Sequence, residues 1–261
     1  MRRRRAGGEE RAIPGESTHS AHGVDIAALA RRVEQLEHAL GVAQDIQAVR
    51  TLQFKYGYYM DKGCYDEVVD LFARDGALHF MGGIFRGKAG LRRLYCDRLR
   101  AGFTGGNNGP VYGMLADHMQ LQDIVDVAPD RQSAKGRFRA LLQGGSHVTK
   151  EKISATLPLQ WWEAGVYEND YVKEDGVWKI QTLDYHMFWQ ADFEKGWAHS
   201  QPYEGRFFDT TYPDDPGGPD ALSDRVPTFW PETPIVPFHY DHPVTGQPHA
   251  IRPTDGLRPG R

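Results

Sequence analysis

The residues of this chain best suited to chemistry lie in one stretch, Trp161–Trp189, WWEAGVYENDYVKEDGVWKIQTLDYHMFW. In an extended backbone Tyr167, Asn169 and Tyr171 share one face, and Val166, Glu168, Asp170 and Val172 share the other. An aromatic–amide–aromatic face is costly in an ordinary core, because buried hydroxyls and amides demand partners that Leu or Val would not. It suits the wall of a pocket that grips something both flat and polar. The polar break Lys173-Glu174-Asp175-Gly176-Val177 turns the chain, so the stretch predicts a long β-hairpin. Its second arm adds Trp178, Ile180, Tyr185, His186, Phe188 and Trp189. The candidate substrate-binding residues are therefore Tyr167, Asn169, Tyr171, Trp178 and His186. For Asn169 the alternative is a hydrogen-bonding role within the sheet. Trp161 and Trp162 read as packing aromatics, Arg137 and Arg139 as an outer face, and His186 has no evident partner.

The elements that must position this hairpin follow from length and patterning. A chain of 261 residues can bury a sizeable core, and 25% charged with 40% hydrophobic residues is ordinary for a globular protein. Net charge is −4 and only Arg2–Arg5 forms a basic run, which argues against a nucleic-acid partner. Cys64 and Cys96 are too few for a disulfide framework and lack metal-ligand spacing, so they read as reduced thiols of a cytoplasmic protein. No run approaches the ~18 apolar residues of a membrane span, and no apolar stretch follows the opening arginines to make a signal peptide.

Residues 1–23 read as a disordered terminus. From 24 to 43 the apolar residues Ile26, Leu29, Val33, Leu36 and Leu40 recur at spacings of three and four, the narrow seam of an amphipathic helix that Gly41 is expected to end. Lasting about two heptads, it is expected to pack on the domain or a neighbouring subunit rather than form a free coiled coil. A second helix spans about Gln44–Met60 with Gly63 as its C-cap, and a third spans Tyr65–Phe72 before an Asp75-Gly76 turn. Short strands at Ala77–Met81 and Ile84–Arg86, a helix at Lys88–Leu99 and a loop at Ala101–Gly113 come next. Strands at Met114–Val127 and Ala134–Gln143 precede the hairpin, and Gly144–Ala155 reads as a lid or surface loop. A short helix at Ala191–Ala198 closes the domain, 44–199. The segment 200–261 is rich in proline and also in aromatics, so Gln201–Tyr240 is expected to be an ordered arm on the domain or on a neighbour, and the last dozen residues loose.

Three motifs occur together in this order. A helix ends in Tyr58-Tyr59-Met60-Asp61-Lys62-Gly63 and leads into DEVVDLFARDG; His118 opens HMQLQDIVDV ahead of the turn Asp130-Arg131-Gln132-Ser133; and the hairpin reads YENDYV … DGVWKI. Together they resemble the SnoaL-like branch of the nuclear transport factor 2-like superfamily over about Gln44–Trp189. The resemblance implies an α+β fold, a cone-shaped barrel whose strongly bent mixed sheet wraps N-terminal helices around a pocket. In its dehydratase and dehydrochlorinase members (scytalone dehydratase, bile acid dehydratase, hexachlorocyclohexane dehydrochlorinase) an Asp at the end of the long helix pairs with a His on the sheet. Asp61 and His118 match those positions, and Tyr58 or Tyr59 would polarise the substrate oxygen. Adjacent on a helix, the two tyrosines cannot both face the pocket.

Such a set makes chemical sense. Elimination from a hydroxylated carbon needs a base working near neutral pH, which a histidine oriented by a carboxylate supplies, and donors for the developing oxyanion, which tyrosines supply. The resemblance thus implies a lyase on a hydroxylated aromatic or polycyclic molecule, by loss of water or, as in a γ-formaldehyde lyase of lignin-derived diarylpropanes, of formaldehyde. No cofactor or metal is called for, since the sequence has no ligand-spaced cluster, no nucleotide-binding glycine loop and no nucleophile elbow. The alternatives are a ketosteroid-type isomerase using Asp61 and a binding protein without turnover. The relatives also imply a homo-oligomer, a trimer before a dimer, acting on a small hydrophobic molecule with no membrane partner.

Overall fold

The computed structural model describes residues 25–150, 157–200, 207–225 and 227–249. The expectations for residues 1–23, for the end of the 144–155 loop and for the last dozen residues fall largely or wholly outside these. Two compact units divide between Leu40 and Gly41. One helix, α1, runs Ile26–Asp61 through both, so Gly41 does not end a helix as expected. A glycine ends a helix by turning left-handed, whereas Gly41 stays helical and is used for close approach. A Cβ there would stand 2.1 Å from Nη1 of Arg131.

In the second unit α1 ends as the sequence indicates. Gly63 is left-handed (φ 64°), and its N–H and that of Cys64 donate to the carbonyls of Met60 and Tyr59 at 3.2 and 2.9 Å. This pair of bonds satisfies the helix end and fixes Asp61 in its last turn. Helix α2 is Tyr65–Asp70, shorter than expected because Phe72, fully buried, already belongs to strand β1, Phe72–Phe80. Asp75-Gly76 does not reverse the chain either. Phe72 pairs with Ile180 and Ala77 with Thr182, so the residues between bulge out of β1, which continues parallel to its neighbour. Strand β2, Gly83–Arg86, follows. The next helical run begins as α3, Gly87–Arg92, passes through a π-helical segment, Arg93–Leu99, and ends as α4, Arg100–Thr104.

Four long strands complete the wall: β3, Met114–Val127; β4, Ser133–Ser146; β5, Gln160–Glu174; and β6, Val177–Asp192. Along β4 the small or apolar Ala134, Gly136, Phe138, Ala140 and Leu142 point inward against Lys135, Arg137 and Arg139, the alternation of a half-buried strand. The β5–β6 hairpin turns at Asp175-Gly176, both left-handed, the backbone that matches strand twist. Sheet order is β3-β4-β5-β6-β1-β2-β7, with only β1 and β6 parallel. The fold is α+β with a mixed sheet that stays open at β3 and β7 and does not close into a barrel. Its core joins Val49, Tyr56 and Met60 of α1 to Phe138, Ile180 and Leu183 of the sheet. Cys64 and Cys96 are free thiols, and burial first, then the neighbouring Asp66, pushes Cys96 up to about 11. Among the described residues no helix is long and apolar enough to cross a membrane.

The expected helix at Ala191–Ala198 is instead the end of β6 and a single 3₁₀ turn, Trp197–His199. Beyond it the described part of the arm lies on this chain's own sheet. Phe208 packs on Phe85 (ring centroids 5.5 Å apart), and β7, Ala221–Leu222, pairs with β2. Trp230 N–H donates to the Phe188 carbonyl at 2.7 Å. The Arg137 guanidinium donates to the Val236 carbonyl at 3.0 Å and lies over the Phe238 ring. His239 bonds Glu168 and sits 3.2 Å from Asp126.

Candidate active site

Between the helices and the concave side of the sheet lies a cavity of about 460 Å³, within the ~300–1,000 Å³ range of small-molecule sites. Tyr56 and Met60 line it from α1, Tyr65 from α2, and Leu78, Phe80 and Met81 from β1 and the turn after it. The i→i+5 winding of the π-helical segment turns Leu94, Tyr95, Arg98 and Leu99 onto the same wall. His118 from β3, Gln143 from β4, Trp161, Glu163 and Tyr167 from β5, and Tyr185 and Gln190 from β6 complete the polar and aromatic lining.

His118 is held at two points, by Asp61 at the end of α1 and by Gln120 of its own strand. Its backbone N–H donates to Asp61 Oδ1, and its carbonyl accepts from Gln120 Nε2 at 3.0 Å. The helix can approach because residue 57 is glycine: a Cβ there would stand 2.6 Å from the His118 carbonyl oxygen. Gly57→Ala gains ~1 kcal/mol of helix propensity but forces a backbone oxygen of the ladder to move. We expect thermal denaturation to show a net loss of about 1 kcal/mol, and kinetics a disproportionate loss, ten- to a hundredfold, as His118 is displaced.

The ring Nδ1 of His118 lies 3.6 Å from Asp61 Oδ1, and both side chains are mostly buried. That is just beyond hydrogen-bond reach, and Nδ1 is buried with no partner among the described residues. Asp61 itself does not line the cavity. It also sits at the negative end of a helix dipole, where a carboxylate is disfavoured.

The tyrosines that face the cavity are not those the motif suggested. Tyr58 is 72% exposed and Tyr59 packs on the core outside the lining. Tyr56 takes their place, with its hydroxyl 3.1 Å from that of Tyr95 and its ring against Tyr167. Helical phase explains the difference: Val49, Gln53, Tyr56 and Met60 form the buried stripe of α1. Burial pushes the Tyr56 hydroxyl up to about 12, and raises Tyr65, Tyr95, Tyr167 and Tyr185 as well, so all five are neutral donors.

Of the proposed substrate-binding residues, Tyr167 lines the cavity and four do not. Asn169 and Tyr171 lie farther along the same face of β5, beneath α1, and both bond Gln53 Oε1, at 3.1 and 2.8 Å. Gln53 donates to Gln120 at 2.8 Å, and Gln120 holds the His118 carbonyl, so this pair braces the site from behind. Trp178 donates to Asp45 Oδ1 at 2.8 Å, away from the cavity. His186, on the opposite face of β6 from Tyr185, is 3.1 Å from both Asp184 and Arg225. Trp161, expected to be packing, lines the cavity.

Glu163 was not anticipated. Its carboxylate accepts from Tyr185 at 2.8 Å and from Gln190 at 2.9 Å. Burial pushes its pKa up, against the pull of these bonds and of the nearby His118. Strand parity was the available signal, since Trp161, Glu163 and Tyr167 share one face. Among the described residues no cluster of His, Cys, Asp or Glu could hold a metal ion.

The profile of the SnoaL-like domain matches residues 41–184, the stretch that holds Asp61, His118, Glu163 and Tyr167. This chain belongs to the SnoaL-like family. Among solved structures it is similar to a putative scytalone dehydratase from Novosphingobium aromaticivorans, at 20% identity over 59% of this chain and 91% of that one, TM-score 0.47. It is also similar to a hexachlorocyclohexane dehydrochlorinase at 18% identity over 59% and 90%, TM-score 0.42. A third, a putative aromatic ring hydroxylase from N. aromaticivorans, is 17% identical over 57% and 93%, TM-score 0.44. Among curated proteins none matches significantly. Likenesses this distant say nothing of the reaction, which rests on the site itself.

Proposed function

We propose that this SnoaL-like protein is a cofactor-free lyase acting on a hydroxylated aromatic or polycyclic small molecule. The observation that carries the reading is a histidine backed by a carboxylate on the wall of a tyrosine-lined, largely apolar cavity. Once a small rotation closes the 3.6 Å gap between them, Asp61 would hold the Nδ1–H tautomer of His118, leaving Nε2 as the base. In the elimination Nε2 takes a proton from carbon and the C–H pair becomes a double bond. The C–O bond breaks as the His118 imidazolium passes that proton to the leaving oxygen, so water departs and the base is restored. In the carbon–carbon variant the same base takes the proton of a hydroxymethyl group. Formaldehyde leaves, and the C–C electron pair passes into a conjugated acceptor whose oxygen the tyrosine hydroxyls stabilise. The isomerase reading would need Asp61 to shuttle a proton inside the cavity, and Asp61 is not among the residues lining it.

The test is mass spectrometry of products after incubation with hydroxylated steroids, polyketides and diaryl alcohols, without added cofactor. Loss of water or of formaldehyde supports the lyase. A product of unchanged mass supports an isomerase. No product, with thermal stabilisation by one compound, leaves a binding protein.

Glu163 gives this reading a pH signature. A carboxylate near His118 favours the imidazolium formed during turnover. Glu163→Gln removes that charge together with a carboxyl whose titration burial has raised, so the acid limb of the kcat profile is expected to lose the contribution of Glu163 and kcat to fall on the order of tenfold. An unmoved limb would separate Glu163 from the base.

A further inference from the structure

Helix α1 carries one stripe that is covered and a second, apolar one that is not. From Gly41 on, the stripe Gly41, Asp45, Val49, Gln53, Tyr56 and Met60 is buried in the second unit. In the first unit every residue from Asp25 to Leu40 is exposed, including Ile26, Leu29, Val33, Leu36 and Leu40 at 45–78%. Their three–four spacing assigns them to heptad positions a, d, a, d and a.

The residue types at these positions select one partner. β-Branched Ile26 and Val33 at a, with Leu29 and Leu36 at d, form the combination that favours two parallel strands over three or four. Arg32 then falls at g and Glu37 at the following e. In a parallel, in-register pair each Arg32 faces Glu37 of the other helix, so two copies of the same sequence are complementary in charge as well as in shape. The polar residues Arg31, Glu34, Gln35 and His38 fall at the outward positions b, c and f. A seam this short would be marginal in an isolated peptide. Here the helix continues unbroken to Asp61, so its nucleation is already secured by the second unit.

We propose that residues 26–40 form a parallel two-stranded coiled coil with a second copy of this chain. This pairing predicts an even-numbered assembly rather than the trimer the family resemblance implies.

The test is the mass of the full-length protein by analytical ultracentrifugation, with Leu29→Glu/Leu36→Glu as the variant. The expected result is an even-numbered oligomer whose mass halves in the double variant, which keeps its circular dichroism and melting transition. A monomeric wild type, or an oligomer that the variant leaves intact, overturns the proposal. So does a trimer. Orientation is read separately by mild oxidation of Ile26→Cys and Leu40→Cys proteins, with wild type as the control for Cys64 and Cys96. Parallel pairing gives efficient dimeric cross-links in both. An antiparallel pair would put the two copies of either position at opposite ends, and absence of cross-links at both overturns the parallel arrangement.

Discussion

His118→Ala is expected to lower turnover by about 10²–10⁴-fold, the range general-base catalysis supplies, with little change in ligand affinity. The cavity keeps its walls because the His118 backbone N–H donates to Asp61 of α1 and its carbonyl accepts from Gln120, contacts that alanine retains. Asp61→Asn sharpens the test. Its amide oxygen can still accept the His118 N–H, and losing a negative charge at a helix C-terminus is worth about 0.3–1 kcal/mol. The variant should therefore melt no lower than wild type, yet lose most of its turnover, because a neutral amide supports the imidazolium poorly. Kinetics paired with thermal denaturation and calorimetric ligand binding decide the matter. Wild-type turnover in both variants would take the chemistry away from this pair, and a parallel loss of stability and activity would make Asp61 a structural residue.

The largest expected effect on stability lies at the other end of the same helix segment. Asp45 is buried and accepts from Arg131 Nε at 2.6 Å, Lys173 Nζ at 2.7 Å and Trp178 Nε1 at 2.8 Å. It thereby fastens α1 to the β3–β4 turn and to the tip of the β5–β6 hairpin. Burial alone would raise its pKa, but bonds from Arg131, Lys173 and Trp178 bring it down to about 2 from 3.8. By linkage that shift is worth about 2 kcal/mol at most, less whatever solvent screens. Stranding the Lys173 ammonium adds a desolvation cost, so Asp45→Asn should lose about 2–4 kcal/mol at neutral pH. The sign of the pH dependence follows from the depressed pKa. The contribution is complete above about 3.8, the unfolded value, and is lost as pH falls through about 2. Denaturant titrations of the two proteins should accordingly converge in acid, and a constant difference would mean the charge is not what holds the contact.

Much of this was legible in the amino-acid order, and the misses share a cause. The β3–β6 strands were readable because each alternates small or apolar residues with charged ones and ends at a turn signal such as Asp175-Gly176. Gly63 was readable as a helix end because the Tyr59, Met60 and Lys62 backbone has no other way to stop. Gly41 looked the same locally. What distinguishes it is Arg131, ninety residues away, lying over it. The proposed His118–Asp61 pair came from a family motif, but its tyrosine came from adjacency within that motif, and adjacency on a helix is not facing. Asn169 and Tyr171 were correctly read as buried polar groups needing partners. The partner is Gln53 rather than a ligand, because α1 crosses that part of the β5 face. Glu163 shares strand parity with Tyr167, a regularity that outweighs its charge.

One feature of the cavity bears on how such a protein diversifies. The shared domain ends at residue 184, yet Tyr185, Met187, Gln190 and Phe207 all line the cavity. Part of the cavity wall therefore lies beyond the stretch that the family profile matches, while Asp61 and His118 lie within it. A library confined to residues 185–207 would therefore vary the cavity wall at Tyr185, Met187, Gln190 and Phe207 while leaving the proposed His118–Asp61 pair untouched.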